Sequence, residues 1–262
     1  MGSWLVRGIL AAVVIVIAAG AGWWFFIRSD AELATSPLDF RETPSDAATS
    51  TGADAATPTP ARAVTTETSD PVDVTPSEGY TLYLVVPEVP SVEGQTEAAY
   101  FAGETLARLG VPSTAKGTTT EVSGYFSLGS EGLDPAVEST ITVALANIRS
   151  DESRRDGQMT RALEVTRYPE ATFTAASLGG WSGEIPEGQD VNLTVTGTMD
   201  LHGVQKELTW DLVARRQGDV ITALATVNFL YADFNIPVLN IGGIVSVEDD
   251  VTLQVQLIAK AQ

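Results

Sequence analysis

The stretch Val191-Asn-Leu-Thr-Val-Thr-Gly-Thr-Met-Asp-Leu201 alternates without a break: odd positions are apolar or Gly, even positions polar. Successive side chains of extended backbone point to opposite sides, so this period of two marks a strand with one face turned to an apolar interior. Leu208, Trp210 and Leu212 alternate in the same way with Thr209 and Asp211, and Val251-Thr-Leu-Gln-Val-Gln-Leu257 repeats the pattern. His202-Gly203 and Gln217-Gly218-Asp219 separate such runs as tight turns do. Further strand-like runs are Tyr80–Val86, Thr96–Gly103, Thr118–Leu128, Val137–Asn147, Ala171–Ala176 and Val220–Tyr231. Residues 79–262 therefore read as all-β. Eight or nine strands with one apolar face fit a closed antiparallel barrel, because closure removes unpaired edges; a two-sheet sandwich satisfies the same alternation. One stretch departs from it. Ser150 to Glu164 predicts a short helix with Ser150 as its cap and Asp151 and Glu152 in the first turn, before Tyr168-Pro169 restores extended backbone.

Two further segments precede this domain. From Gly8 to Ile27 run 20 residues without a charge, ending near Trp23-Trp24-Phe25-Phe26, long enough as a helix to span a hydrocarbon core of about 30 Å. The aromatic quartet suits a membrane–water interface. Arg7 stands on the N-terminal side, while Asp30 and Glu32 follow Arg28. Residues 1–28 thus read as a cytoplasmic tip and transmembrane helix that leave the rest of the chain extracytoplasmic, at a cell surface or in a periplasm. Cleavage near Ala18-Ala19-Gly20-Ala21, as in a signal peptide, is the competing reading. Residues 29–78 carry ten acidic residues against Arg41 and Arg62, and are rich in Ala, Thr, Ser and Pro. With few large apolar groups to offset the entropy of ordering, they read as a disordered linker with a reach of roughly 40 Å.

Composition excludes several chemistries. Fifteen Lys and Arg against 34 Asp and Glu leave a charge of -19, which argues against a nucleic-acid partner. No cysteine is present, so disulfides, thiolate catalysis and Cys-ligated metals are ruled out. A general base would have to be the single histidine, His202, whose place in a hairpin turn predicts an exposed ring; no catalytic residue is expected. Glu248-Asp249-Asp250 lacks the spaced oxygen donors of a calcium loop and reads as a solvated turn before the last strand, so no metal site is expected. No cofactor is expected either.

Five arginines fall between 149 and 167. Arg149, Arg154, Arg155 and Arg161 could form a rim for an anionic head group, since guanidinium forks match carboxylate and phosphate. The bland alternative pairs them with neighbouring acids, as Asp151 with Arg155 at i,i+4 spacing on a solvated helix.

Three motifs, taken together, resemble the YceI-like family. They are Asn147-Ile-Arg-Ser-Asp-Glu-Ser-Arg-Arg-Asp156 continuing to Arg167-Tyr168-Pro169-Glu-Ala-Thr-Phe173, then Gly197-Thr-Met-Asp-Leu-His-Gly-Val204, then Asp233-Phe234-Asn-Ile-Pro237. The resemblance covers roughly 79–262. It implies an extended eight-stranded antiparallel barrel, lipocalin-like in shape, whose lumen holds a long isoprenoid or fatty chain without catalysis. The first strand departs from the family: it reads Tyr83-Leu-Val-Val-Pro-Glu88 and lacks an Asp-x-x-His-Ser motif found in many members. The alternating faces name the lining of such a lumen: Phe126, Leu145, Phe173, Leu193, Val195, Trp210, Leu212, Phe229, Leu253 and Val255. Burial at about 0.8 kcal/mol per methylene makes two or three isoprene units enough for micromolar binding of a lipid. The same side chains could instead fill a solid core and leave a surface interaction module. The apolar run Pro237–Ile244 could close the barrel end as a lid.

Overall fold

The computed structural model describes residues 31–41, 74–106, 111–238, 240–241 and 245–262. The strands in chain order are β1 (Tyr80–Val86), β2 (Glu97–Leu106), β3 (Val111–Thr119), β4 (Val122–Gly129), β5 (Gly132–Leu133), β6 (Thr140–Ala144), β7 (Arg149–Ser150), β8 (Glu170–Gly179), β9 (Val191–Leu201), β10 (Val204–Gln217), β11 (Val220–Leu230), β12 (Asn240–Ile241) and β13 (Val245–Ala261). Helix α1 (Ser153–Ala162) lies between β7 and β8, and a 3-10 turn, Tyr231–Phe234, follows β11.

Antiparallel neighbours run β1-β4-β6-β8-β9-β10-β11-β13, and β13 returns to β1 through Tyr83↔Ala261 to Val86↔Ile258. That pairing closes an eight-stranded barrel. The β2–β3 hairpin shares the same edge of β13 further along, from Gln256↔Glu97 to Val245↔Leu106, and β7 extends it. The alternation in β9, β10 and β13 survives as an inner and an outer face, so a barrel and not a sandwich is the result.

The β9–β10 hairpin turns on His202 and Gly203, with φ of 55° and 71°. Two left-handed residues make the turn that matches the twist of a hairpin. The His202 ring, expected to be exposed, is folded inward instead: its side chain is 9% exposed. Nδ1 lies 3.0 Å from the Phe234 carbonyl, and the ring meets Tyr168 edge-on at 5.0 Å. Helix α1 begins later than expected. Glu152 is its cap, accepting from the Arg154 amide, while Ser150 binds Asp156. Glu248-Asp249-Asp250, expected in a turn, lies within β13 where the register with β2 shifts between Val247 and Val251.

The segment 31–41 lies against the outer barrel wall, although composition placed it in the disordered linker. Gln254 exchanges two 2.9 Å hydrogen bonds with the Ala34 backbone. Phe40 pairs with Val92, and Leu38 and Phe40 pack on Val92, Val220 and Ile258. Averaging over fifty residues hid two anchors, Leu38 and Phe40, within eleven positions. The expected transmembrane helix and linker residues 29–30 and 42–73 lie outside the described residues, whereas linker residues 74–78 are described and Ser77 hydrogen-bonds Asp134. Among the described residues no helix is long and apolar enough to cross a membrane.

Asp134 ties the start of β1 to the barrel. Its carboxylate accepts from the Ser77 amide at 2.7 Å, the Ser77 hydroxyl at 2.9 Å and the Ala136 amide at 2.9 Å. Burial works to raise its pKa, but these donors outweigh burial and hold it below the usual carboxylate value. A depressed folded pKa adds stability above the unfolded value, near pH 4, and loses it as pH falls through the folded one. The wild-type melting temperature should therefore fall more steeply than that of Asp134→Asn from about pH 4 downward. Parallel slopes in an acid titration of the two proteins would contradict this.

Candidate functional site

The barrel encloses a cavity of about 220 Å³ whose wall is almost entirely apolar. Its lining runs from Trp181, Leu133 and Ile185 at one end to Tyr231, Ile236 and Met159 at the other. All ten side chains named from the alternation lie on this wall: Phe126 from β4, Leu145 just after β6, Phe173 from β8, Leu193 and Val195 from β9, Trp210 and Leu212 from β10, Phe229 from β11, and Leu253 and Val255 from β13. Register explains the convergence. Trp210 pairs with Val195 and Leu212 with Leu193, so residues of one phase on neighbouring strands share one face.

An apolar cavity of about 150 Å³ takes up benzene, whose six carbons are close to the five of one isoprene unit. The space at hand therefore accepts between one and two isoprene units before side chains move. A longer chain must displace side chains of the wall, where Phe173 packs edge-on against Trp210 at 5.7 Å.

Several residues missed from sequence close the end of the cavity nearest α1. Met159, Ala162 and Leu163 on and just after α1 pack into the core with Tyr100, Phe229, Tyr231 and Phe234. Helix α1 is pinned by a buried ion pair. Arg155 donates through Nε to Glu104 Oε1 at 2.9 Å and through Nη2 to Oε2 at 3.1 Å, with side chains only 8% and 6% exposed. Nη1 donates to Asp151, which is the i,i+4 pair anticipated on the helix. Burial alone would favour deprotonation; the two carboxylates overcome it and raise the arginine pKa above its ordinary value.

That pair corrects the expected arginine rim. Arg155 is inside, with its guanidinium held by Glu104, Asp151 and Ser150, so it is buried in an ion pair and not exposed at a rim. Arg149 is exposed and binds the carbonyls of Ala146 and Ile148. Arg154 and Arg161 are exposed on α1. The four do not form one ring around the cavity. Of the expected lid, Pro237–Ile244, Val238 is exposed and Asn240–Ile241 pair with β13 as β12, while Leu239 and 242–244 lie outside the described residues; Ile236, just before it, lines the cavity.

A closed antiparallel barrel around an apolar cavity defines a hollow-barrel protein. The chain belongs to the YceI-like family, whose domain model matches residues 91–259. Similar solved structures include a polyisoprenoid binding domain from Saccharophagus degradans implicated in plant cell wall breakdown, at 18% identity and TM-score 0.49, covering 69% of this chain and 98% of that one. Burkholderia cenocepacia BcnA is similar at 19% identity and TM-score 0.46, covering 63% and 96%. A Campylobacter jejuni YCEI protein follows at 17% and 0.40, covering 51% and 75%. Comparison with curated protein sequences gives no match.

Proposed function

We propose that this protein binds an isoprenoid or other long-chain lipid in its barrel lumen, as carrier or store and without catalysis. One observation carries the reading: a continuous apolar cavity along the barrel axis, walled by β4, β8, β9, β10, β11 and β13. A slender hydrocarbon chain is the ligand class whose shape and polarity match such a space. A barrel packed solid with its own side chains does not account for that void. The family resemblance points the same way. In this reading the uncharged run Gly8–Ile27 holds the protein in a membrane, with the barrel on the extracytoplasmic side.

Organic extraction of the full-length protein, purified in mild detergent, followed by mass spectrometry tests this. The expected result is a near-stoichiometric lipid whose mass steps by five-carbon units or by methylenes. No extracted lipid, together with no uptake of a fluorescent prenyl probe, rejects it.

A further inference from the structure

The segment 31–41 gives the barrel a direction. The Ala31 amide donates to the Thr114 carbonyl at 3.4 Å. Thr114 pairs with Gly103, next to the Glu104 that holds α1. Ala34 follows at Gln254. Leu38 and Phe40 then pack on Val92, Val220 and Ile258, where β11 leaves its turn from β10. Trp181 and Ile185 pack with Ile221 next to that same turn. The segment therefore descends the outer wall from the α1 end towards the Trp181 end. The uncharged run Gly8–Ile27 ends four positions before Ala31. So short a connection covers much less than the length of β13 from Val251 to Ala261, which separates the two ends. A chain inserted through that run brings the α1 end to the bilayer.

Surface chemistry points the same way. Among the described residues the exposed large apolar side chains are Leu33, Leu230 and Val238, each 46% exposed. Leu33 stands two positions after Ala31. Leu230 and Val238 flank the 3-10 turn whose Tyr231 lines the α1 end of the cavity. Any one of them alone is ordinary; grouped at one end beside cations, they match an interfacial surface. Five arginines against four acids leave residues 149–167 at +1 in a chain of -19. Arg154 and Arg161 are exposed and lie two turns apart on one side of α1, while Arg155, Met159 and Ala162 face inward. Among the described residues the ion pairs of this stretch are made by Arg155 and Arg167, with Glu104, Asp151 and Glu164. Arg154 and Arg161 thus keep their guanidinium forks for a phosphate. Glu248 and Asp250 are exposed on β13, so the contact centres on α1 and the 3-10 turn.

Resting on the reading that Gly8–Ile27 holds the protein in a membrane, we infer that the α1 end is a bilayer-docking surface. Leu230 and Val238 enter the interface, and Arg154 and Arg161 bind lipid phosphates outside the lumen. The cavity end at Met159, Tyr231 and Ile236 then faces the bilayer, and the Trp181 end faces away from it.

The absence of cysteine allows single labels to be placed at chosen positions. Full-length protein carrying Ala232→Cys, Thr160→Cys or Asp219→Cys, all exposed, is labelled with a fluorophore and reconstituted into phosphatidylcholine–phosphatidylglycerol vesicles. Lipid spin-labelled at the headgroup should quench the labels at 232 and 160 and leave the one at 219, on the β10–β11 turn, unquenched. Arg154→Gln and Arg161→Gln should each lower the ratio of docked to free barrel about fivefold, read as lost quenching at 160. Quenching at 219 equal to or above that at 232, no quenching at 232 and 160, or unchanged quenching in the double arginine variant overturns the docking inference alone. Protein that fails to float with the vesicles on a density gradient overturns the membrane-holding reading as well.

Discussion

Arg155→Met, with Glu104 left in place, is expected to lower stability by about 3–5 kcal/mol, because it strands a carboxylate in the barrel interior. The two groups are almost fully enclosed and share two hydrogen bonds. An exposed pair would give a tenth to a third of that effect. Equilibrium urea unfolding measures it. The double variant Glu104→Leu, Arg155→Met removes both charges and should recover most of the loss, since apolar groups of similar size replace a buried pair at little cost. A single variant within about 1 kcal/mol of wild type would show that solvent reaches the pair and that α1 is not pinned by it.

Ala225→Trp is expected to abolish lipid binding, by more than about 100-fold, while leaving the fold intact. Ala225 sits on the cavity wall of β11, paired with Leu212 on one side and Val255 on the other. An indole there projects into the bore and occupies the space a chain would use. The sign of the stability change is informative. Filling a void leaves stability unchanged or raises it, whereas forcing an indole into a solid interior costs about 1–3 kcal/mol. Binding of a fluorescent prenyl probe and a thermal melt together decide the matter. Strong destabilisation with binding retained would mean that the lipid lies elsewhere.

The cavity wall was legible because a phase is all it requires. Once β9, β10 and β13 alternate and pair in register, every apolar residue of that phase faces inward, whatever its neighbours are. Pairings across the fold left weaker marks. Glu104 is 51 residues from Arg155, yet it follows Ala98, Tyr100 and Ala102 in the same phase of β2. A carboxylate ending an inward apolar row calls for a buried cation, and that signal was present and unused. Strand β3 begins at Val111, ahead of the expected Thr118, because Pro-Ser-Thr-Ala-Lys-Gly carries no alternation; its pairing with β2 decides it. The inward turn of His202 is set by Tyr168 and Phe234, each more than thirty positions away, so the hairpin signal fixed the backbone and left the ring undetermined.

Docking of Ala31–Arg41 on the wall changes the mechanics of any attachment at the N-terminus. For a chain inserted in a bilayer through Gly8–Ile27, only Arg28, Ser29 and Asp30 separate the inserted run from Ala31, a gap of at most about 14 Å. The barrel is then moored at the lipid headgroups like a boat on a short painter, and cannot sweep the surrounding space. Delivery of cargo would require the receiving membrane or partner to come to the barrel.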